Sequence, residues 1–274
     1  MRINTNVSSL TAQEAAQNTT KTLTGSLEKL STGLRINKAS DDASGLAIAD
    51  KLRTQATSIN QGIANGNSAV TLLQIADKSM AEQSNILDTV KAKLIQANTA
   101  TTSTDGRKAI ASDIAKLMTQ FDNIAKSTNY NGTDLISASA ADLDFQVGED
   151  STKGKITLTA IDSSASAYSL GALSSITSLT MASAATLQGT VDSAINSLNT
   201  NRGSIGSTQN QVESAVRNLM TMSTNVKAAE SIIRDVDYAA ESANFNKQNI
   251  ISQAGSYAIS QANAVQQNVL RLLQ

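Results

Sequence analysis

Residues 191–233 decide the fold of this chain; they read VDSAINSLNTNRGSIGSTQNQVESAVRNLMTMSTNVKAAESII. An apolar residue recurs in this stretch at every seventh position, without a polar interruption. The seven positions, which we call the second seam, are Val191, Leu198, Ile205, Val212, Leu219, Val226 and Ile233. A seven-residue repeat on an α-helix keeps one line of side chains facing a partner helix.

A matching line of residues, the first seam, lies in the first half of the chain and contains a single glycine. Its members are Leu52, Ile59, Gly66, Leu73, Met80, Leu87 and Leu94. Two such seams in one chain are expected to pack against each other. We therefore predict a mainly α fold: a long antiparallel coiled-coil helical bundle, or rod, with a small β-hairpin region and with the N- and C-terminal helices paired.

The composition favours a narrow bundle over a compact globule. Only 40% of the 274 residues are apolar and 3% are aromatic, which is thin for a globule of this size. The chain has no proline, and each interior proline would cost a helix about 3 kcal/mol. The composition therefore permits very long helices.

Charge and hydropathy exclude several classes of function. The net charge is −1 and no basic block is present, so we expect no nucleic-acid partner. No apolar run approaches the roughly 18 residues that a membrane span needs, and the start MRINTNVSSL lacks the apolar core of a secretory signal. We expect neither membrane association nor a cleaved signal peptide. The absence of cysteine leaves the redox compartment open.

The apolar spacing predicts helices over residues 3–34, 44–99, 108–127 and from about 184 onward, the last followed by a terminal helix with a new apolar edge. Asp42 or Ser44 is a candidate N-cap for the helix from 44. Residues 99–106 and the Asn-Gly segment 129–133 are predicted turns. Gly203 and Gly206, inside the long C-terminal helix, indicate a close approach of another backbone or a bend.

Two other segments lack helical periodicity. Residues 143–147 and 156–159 alternate between apolar and polar side chains, which predicts a β-hairpin. Residues 163–183 are rich in serine and alanine without a clear period, and we read them as a surface segment and the first place to look for glycans. Tyr238 and Tyr257 are interpreted as packing residues.

The chain offers little catalytic chemistry, since it contains neither histidine nor cysteine. This excludes Ser-His-Asp and Cys-His pairs and the usual zinc sites. No phosphate-binding loop is present, and adjacent Asp41 and Asp42 are best explained as helix caps. We expect no catalytic residue, no metal site and no cofactor, and hence no enzyme.

Several segments resemble the bacterial flagellins, the subunits of the flagellar filament. The most specific are LSTGLRIN at residues 30–37 and ASDDASGLAIA at 39–49. RGSIG at 202–206, DVDYAAE at 235–241, QAN at 261–263 and VLRLL at 269–273 agree, as does FQVG at 145–148. The resemblance covers about the first 148 and the last 90 residues.

The resemblance implies three regions. Residues 1–43 with 235–274 would form a terminal helical domain that lines the inner tube and is disordered in the monomer. Residues 44–138 with 181–234 would form the helical rod domain. Residues 139–180 would supply the hairpin and a short surface segment where other members insert outer domains, which makes this a minimal form.

The resemblance also assigns residues to roles. Twelve terminal apolar residues would form the filament-assembly interface: Ile3, Val7, Leu10, Leu23, Leu27, Leu30, Leu34, Val265, Val269, Leu270, Leu272 and Leu273. Seven residues form the signature that connects the domains: Arg35, Asn37, Asp41, Asp42, Asp235, Asp237 and Tyr238.

A third assignment concerns an innate-immune receptor. Flagellins detected by the vertebrate Toll-like receptor resemble LQRVREL, whereas residues 87–93 read LDTVKAK. Asp88, Thr89 and Lys93 replace an amide, a charged residue and a leucine, so we expect weak or absent recognition.

The implied function is a structural subunit that self-assembles into the flagellar filament for swimming motility. Its partners would be copies of itself and, by resemblance, an export chaperone, the filament cap and the junction proteins. It would be secreted to the flagellum through the flagellar channel. The hook-filament junction protein is the alternative, since it shares the terminal helices but matches these signatures less closely. A flagellin with a catalytic insert and a membrane-active coiled coil are disfavoured, the first for want of an insert and the second for want of a basic face.

Overall fold

The computed structural model describes residues 5–150 and 152–272, with side-chain environments described up to residue 265 and at residues 267 and 268. Within these ranges the chain is mainly helical, and the predicted fold class is confirmed. The helices are α1 (Val7–Thr32), α2 (Ala43–Ala97), α3 (Thr104–Ser127), α4 (Gly171–Ser174), α5 (Met181–Arg234) and α6 (Tyr238–Leu272). The strands are β1 (Asn129–Tyr130), β2 (Thr133–Asp134), β3 (Leu143–Gln146) and β4 (Lys155–Leu158).

The chain divides into two compact units. One contains Met1–Ala56 and Thr224–Gln274, and the other contains Thr57–Ser223. The divisions fall inside α2 and α5, whereas the domain limits expected from the sequence, at 43/44 and 234/235, coincide with helix ends. The first turns of α2 and the last turns of α5 therefore belong with the terminal helices.

The two seams form the core of the Thr57–Ser223 unit, as predicted. Leu73, Met80, Leu87 and Leu94 of α2 are fully buried, and so are Val191, Leu198, Ile205 and Val212 of α5. The helices run antiparallel. An ion pair joins Asp77 to Arg202 at 2.8 Å, and another joins Lys91 to Asp192 at 2.6 Å. Leu52, Val226 and Ile233, the seam residues of the other unit, are half-buried.

The glycine that interrupts the first seam marks a close approach between α2 and α5. A Cβ at Gly66 would lie 2.4 Å from Cγ2 of Val216. One turn earlier, a Cβ at Gly62 would lie 2.2 Å from the carbonyl oxygen of Val147, next to the β3–β4 hairpin. Only a residue without a side chain fits at these two positions.

The close backbone approach expected as one alternative at Gly203 and Gly206 is wrong. An added Cβ at either position meets nothing within 4 Å, and α5 continues through both without a break. Glycine in a helix does not by itself show a close contact, because an exposed position also accepts it.

These glycines give a matched pair of substitutions. We expect Gly62→Ala to destabilise the protein by about 2 kcal/mol or more, because a backbone oxygen blocks the new methyl group. Gly203→Ala, in open space, should stabilise it by up to about 1 kcal/mol through helix propensity. Chemical denaturation of both variants followed by circular dichroism checks the opposite signs, and a loss of stability at Gly203 would contradict this account.

Helix α3 folds back antiparallel onto α2, as predicted, but begins earlier than expected. The sequence placed Asp105 and Gly106 in a turn, whereas α3 starts at Thr104. The hydroxyl of Ser103 accepts a hydrogen bond from the amide of Gly106 at 3.1 Å and caps the helix. The cap side chain determines this start, and the apolar period carries no information about it.

The predicted β-hairpin and the predicted Asn-Gly turn are both present between α3 and α5, and each belongs to an antiparallel hairpin. In the larger one, β3 pairs with β4 so that Leu143 faces Leu158. The smaller one, β1–β2, turns at Asn131 and Gly132, whose φ angles are +51° and +81°. Positive φ at both central residues is the requirement of a tight hairpin turn, which Asn-Gly meets.

The segment that follows β4 is a surface segment only in part, because buried and exposed residues alternate along residues 163–180. Ser163, Leu170 and Leu173 have no exposed surface, and Tyr168 is only 8% exposed. The first serine of the segment suggested for glycans is therefore inaccessible. Short α4 packs its Leu173 side chain into the core.

A buried glutamine holds this segment in place. The amide nitrogen Nε2 of Gln83 donates to the carbonyl oxygens of Phe121 at 3.1 Å and Ser163 at 2.9 Å. The Ser163 hydroxyl donates to Oε1 of Gln83 at 2.5 Å and lies 3.2 Å from the Tyr168 hydroxyl. Asn201 of α5 donates to that hydroxyl at 3.0 Å. We call Gln83, Ser163, Tyr168 and Asn201 the polar network.

Candidate functional site

The terminal helices α1 and α6 are paired, as predicted, and they run antiparallel. The Tyr238 hydroxyl, at the start of α6, donates to the carbonyl oxygen of Leu30 near the end of α1, at 2.5 Å. At the other end, the Asn6 side chain donates to the carbonyl oxygen of Ala262 at 3.0 Å. Between them, Gly255 lies opposite Ala16. The two helices therefore run side by side along most of their described length.

A polar cluster lies between the two helices, near the end of α1 and the start of α6. Ser26 is the only buried residue among the described residues of α1, at 3% exposed. Its hydroxyl donates to the carboxylate of Glu241 and accepts from Asn244 at 3.3 Å. Sequence reasoning missed Ser26, although Glu241 falls in the DVDYAAE motif. A small polar residue inside a polar helix gives no periodic signal.

Large apolar side chains point away from the pair into solvent. On α1 these are Val7 (64% exposed), Leu10 (55%) and Leu27 (54%). On α6 they are Ile250 (67% exposed), Ile251 (41%), Tyr257 (74%) and Val265 (54%). None of the α6 residues with described burial, 238–265, is buried. We call these seven residues the terminal apolar surface.

The structure places the predicted interface residues in three groups. Val7, Leu10, Leu27 and Val265 belong to the terminal apolar surface. Leu23, Leu30 and Leu34 are half-buried. Ile3 and Leu273 lie outside the described residues, as do the side chains of Val269, Leu270 and Leu272. Tyr257, interpreted as a packing residue, is instead the most exposed member of the surface, and Tyr238 is 59% exposed.

The domain-connecting signature joins two chain segments near the ends of α1 and α5. The amide of Arg35 donates to the carbonyl oxygen of Arg234 at 2.6 Å, and its guanidinium Nη2 donates to the carbonyl oxygen of Ile233 at 2.7 Å. Leu34 and Asp235 form an isolated antiparallel bridge. Gly33, with a φ of +73°, ends α1 and lets the chain enter this bridge.

The remaining signature residues cap helices and close loops. Oδ1 of Asp42 accepts from the amide of Gly45 at 2.9 Å, which confirms it as the cap of α2. Oδ1 of Asp237 accepts from the amides of Ala239 and Ala240 at the start of α6. The Asn37 side chain donates to the carbonyl oxygen of Leu34 at 3.1 Å. These bonds fix where one helix ends and the next begins.

Asp41 organises the loop between α1 and α2. Its Oδ2 accepts from the amides of Lys38 at 3.0 Å and Asn37 at 3.1 Å. These backbone hydrogen bonds hold the pKa of the Asp41 carboxyl below its ordinary value of 3.8. The stabilisation that this carboxylate contributes is thus complete above the ordinary value and is lost as the pH falls through the lowered pKa.

Asp88, Thr89 and Lys93, which we call the receptor patch because the sequence predicts that they weaken receptor recognition, lie on α2 in the other unit. Asp88 and Thr89 are exposed, and Lys93 is half-buried. Nζ of Lys93 lies 3.0 Å from Oδ2 of Asp113 on α3. Lys93 is therefore held in an ion pair, and all three residues of the patch are polar.

The described residues contain no group of three or more histidine, cysteine, aspartate or glutamate side chains placed to hold a metal ion. Over the same residues, no helix is both long and apolar enough to cross a membrane.

Comparison with protein families matches both ends of the chain. Residues 3–141 match the family model of the bacterial flagellin N-terminal helical region, and residues 188–273 match the bacterial flagellin C-terminal helical region. Only residues 142–187 separate the two regions, and they contain the larger hairpin and the buried segment. These matches do not favour the junction-protein alternative.

Individual relatives agree with the family matches. Flagellin B of Helicobacter pylori (strain ATCC 700392 / 26695) is 48% identical over 147 residues, which cover 54% of this chain but only 29% of that protein. The flagellin of Bacillus subtilis (strain 168) is 35% identical over 305 residues, which cover both chains completely.

A solved structure shows the same fold. The crystal structure of Bacillus cereus flagellin is 26% identical, with a TM-score of 0.51, and the match covers 61% of this chain and 94% of that one. Together with the family matches at both termini and the full-length relative, this similarity shows that the chain belongs to the bacterial flagellin family.

Proposed function

We propose that this chain is a structural subunit that self-assembles into the flagellar filament and serves swimming motility. The observation that supports this most directly is the terminal apolar surface, seven large side chains that the paired helices leave in solvent. Burying such a side chain contributes about 1.5–3 kcal/mol. Large apolar side chains left exposed on one helix pair are candidates for burial in a contact between proteins.

Few buried residues stabilise the α1–α6 pair. Ordering a residue costs about 1–2 kcal/mol of conformational entropy, while α1 has one buried residue in its described part and α6 has none over residues 238–265. Contacts between subunits would offset this cost. We infer that residues 1–43 and 235–274 become fully ordered on assembly, where they line an inner tube.

The remaining regions take supporting roles in this proposal. Residues 44–138 with 181–234 form the surrounding helical layer, and residues 139–180 stand where longer members carry outer domains. A filament of this chain would then be thin and smooth. By family resemblance, an export chaperone, the filament cap and the junction proteins are its other partners, and export runs through the flagellar channel. The family is a structural one, and we propose no catalytic role.

Polymerisation of the purified chain tests the proposal. Monomer raised above its critical concentration and given seeds should form micron-long filaments visible by electron microscopy. Removing the last 20 or so residues should leave a helical, soluble protein that does not polymerise. A chain that stays monomeric under these conditions, or a truncated one that polymerises equally well, would refute the proposal.

The receptor patch carries a separate prediction. Wild-type chain should give a weak or absent response in reporter cells that express the vertebrate Toll-like receptor. The triple substitution Asp88→Gln, Thr89→Arg and Lys93→Leu restores three of the five positions at which residues 87–93 differ from recognised flagellins. It should lower the half-maximal concentration by about tenfold or more.

A matched control makes the same changes at exposed positions beside the α2–α3 turn: Asp105→Gln, Thr101→Arg and Lys108→Leu. This control should leave the response unchanged. A wild-type response equal to that of a strongly recognised flagellin would contradict the prediction.

A further inference from the structure

The chain contains two Asn-Gly dipeptides in opposite structural settings: Asn65-Gly66 in α2 and Asn131-Gly132 in the β1–β2 turn. Asparagine followed by glycine is the dipeptide most open to attack on the side-chain amide by the next backbone nitrogen, because glycine has no side chain to obstruct the approach. Whether this attack occurs depends on how freely the nitrogen and the amide can move. The two settings differ in this respect.

Asn131 is free to react. Asn131 and Gly132 are both exposed, and a Cβ at Gly132 would meet nothing within 4 Å. No hydrogen bond holds the Asn131 side chain within the part of the chain that the structure describes. The cross-strand partners are Tyr130 and Thr133, so the Gly132 amide lies in the turn between them. Since a lone two-stranded hairpin is marginally stable, this turn can open locally.

Asn65 is held on both sides of its amide. Its Nδ2 donates to the carbonyl oxygen of Gln146 at 2.9 Å, and its Oδ1 accepts from Nε2 of Gln61 at 2.9 Å. Gly66 is buried against Val216, and its amide lies within the hydrogen-bond ladder of α2. Attack at this position requires breaking a core helix, which opens far less often than a turn.

We propose that Asn131 is a self-modification site, at which the β1–β2 turn converts asparagine to a mixture of aspartate and isoaspartate, while Asn65 is protected. The Gly132 nitrogen loses its proton to solvent hydroxide and attacks Cγ of Asn131. A C–N bond forms, ammonia leaves, and a five-membered imide results. Water then opens either carbonyl of the imide. The net reaction consumes one water and releases one ammonia, without oxidation or reduction.

The conversion changes a turn that anchors the buried segment. One negative charge appears at residue 131, and the isoaspartate product adds a methylene to the backbone where positive φ angles set the hairpin. Close by, the amide of Leu135 donates to the carbonyl oxygen of Thr128 at 3.2 Å, and the carbonyl oxygen of Ile136 accepts from the amide of Ser163 at 2.9 Å. Loss of the turn geometry therefore loosens the attachment of the polar network. This inference does not depend on whether the chain polymerises.

Peptide mapping of aged protein tests the proposal. The folded chain is incubated in mildly alkaline buffer and digested with trypsin, which places Asn131 in peptide 127–153 and Asn65 in peptide 54–78. Fragmentation locates the mass gain of about 1 Da, and isoaspartyl methyltransferase reports the isoaspartate product. We expect Asn131 to convert at least about tenfold faster than Asn65, since a turn opens more readily than a core helix.

Two controls separate structure from sequence. In denaturant both dipeptides should convert at similar rates, because the difference comes from the fold. In folded Asn131→Gln, the larger ring disfavours closure, and peptide 127–153 should stay unmodified at residue 131. Equal rates at Asn65 and Asn131 in the folded chain, or an Asn131 that reacts only after denaturation, would overturn the proposal.

Discussion

Replacing Leu27 and Ile250 together with glutamate is expected to abolish polymerisation at concentrations where the wild-type chain forms filaments. Both side chains belong to the terminal apolar surface, at 54% and 67% exposed. Each substitution removes about 1.5–3 kcal/mol of apolar burial from a subunit contact. It also places a carboxylate there that must be desolvated. The critical concentration should rise by about 100-fold or more, as measured by sedimentation after seeding.

The matched control is Gln17→Glu with Gln261→Glu. Both glutamines are exposed on the same two helices, and the change adds the same two negative charges without removing apolar surface. Its critical concentration should stay close to that of the wild type. If both double variants lose polymerisation equally, net charge and not apolar contact controls assembly, and the role given to the terminal apolar surface is wrong.

The second large effect is expected at the polar network. Gln83→Met keeps the length of the side chain but removes both of its hydrogen-bonding groups. The Ser163 carbonyl oxygen then loses its partner in a site without solvent access, since Gln83 and Ser163 are fully buried. Leaving buried polar groups unpaired costs about 1–3 kcal/mol each. We therefore expect a loss of about 2–4 kcal/mol in the free energy of unfolding.

Hydrogen exchange should localise this effect. Because the network fixes the segment after β4, amides around Tyr168 and Leu170 should exchange faster in Gln83→Met while those of α6 are unaffected. Gln74→Met is the control, since Gln74 is exposed on the same helix. A surface change of this kind should alter stability by less than about 0.5 kcal/mol. Similar losses in both variants would show that the network does not stabilise the segment.

Most of the fold could be predicted from the seven-residue period, because the core positions of a coiled coil repeat along the sequence. Leu73 and Leu198 are buried as their seams require. The segment around Ser163 could not be predicted in this way. Its burial depends on Gln83, which lies 80 residues away, and a polar residue in an α2 sequence gives no sign that its side chain points inward. Non-local partners decide the position of an aperiodic segment.

In the candidate site, too, sequence spacing predicted some features and contacts between distant residues decided the others. The family resemblance predicted that terminal apolar residues form an interface, and the spacing of these residues put Leu23 and Leu27 in one set. In the structure Leu27 is exposed and Leu23 is half-buried. Which side of a narrow apolar stripe faces α6 depends on the register of the helix pair. Ser26 and Glu241 contribute to that register, and no pattern within α1 alone contains it.

The pairing of α1 with α6 also determines how late in synthesis the terminal apolar surface can form. The bond from Tyr238 to Leu30 joins residues 208 positions apart, and the bond from Asn6 to Ala262 joins residues 256 positions apart. At about 5–20 residues per second, a ribosome needs roughly 10–50 s to pass from one partner to the other. During that interval α1 has no α6 to pair with. The complete terminal apolar surface, which takes residues from both α1 and α6, therefore exists only after α6 has been synthesised.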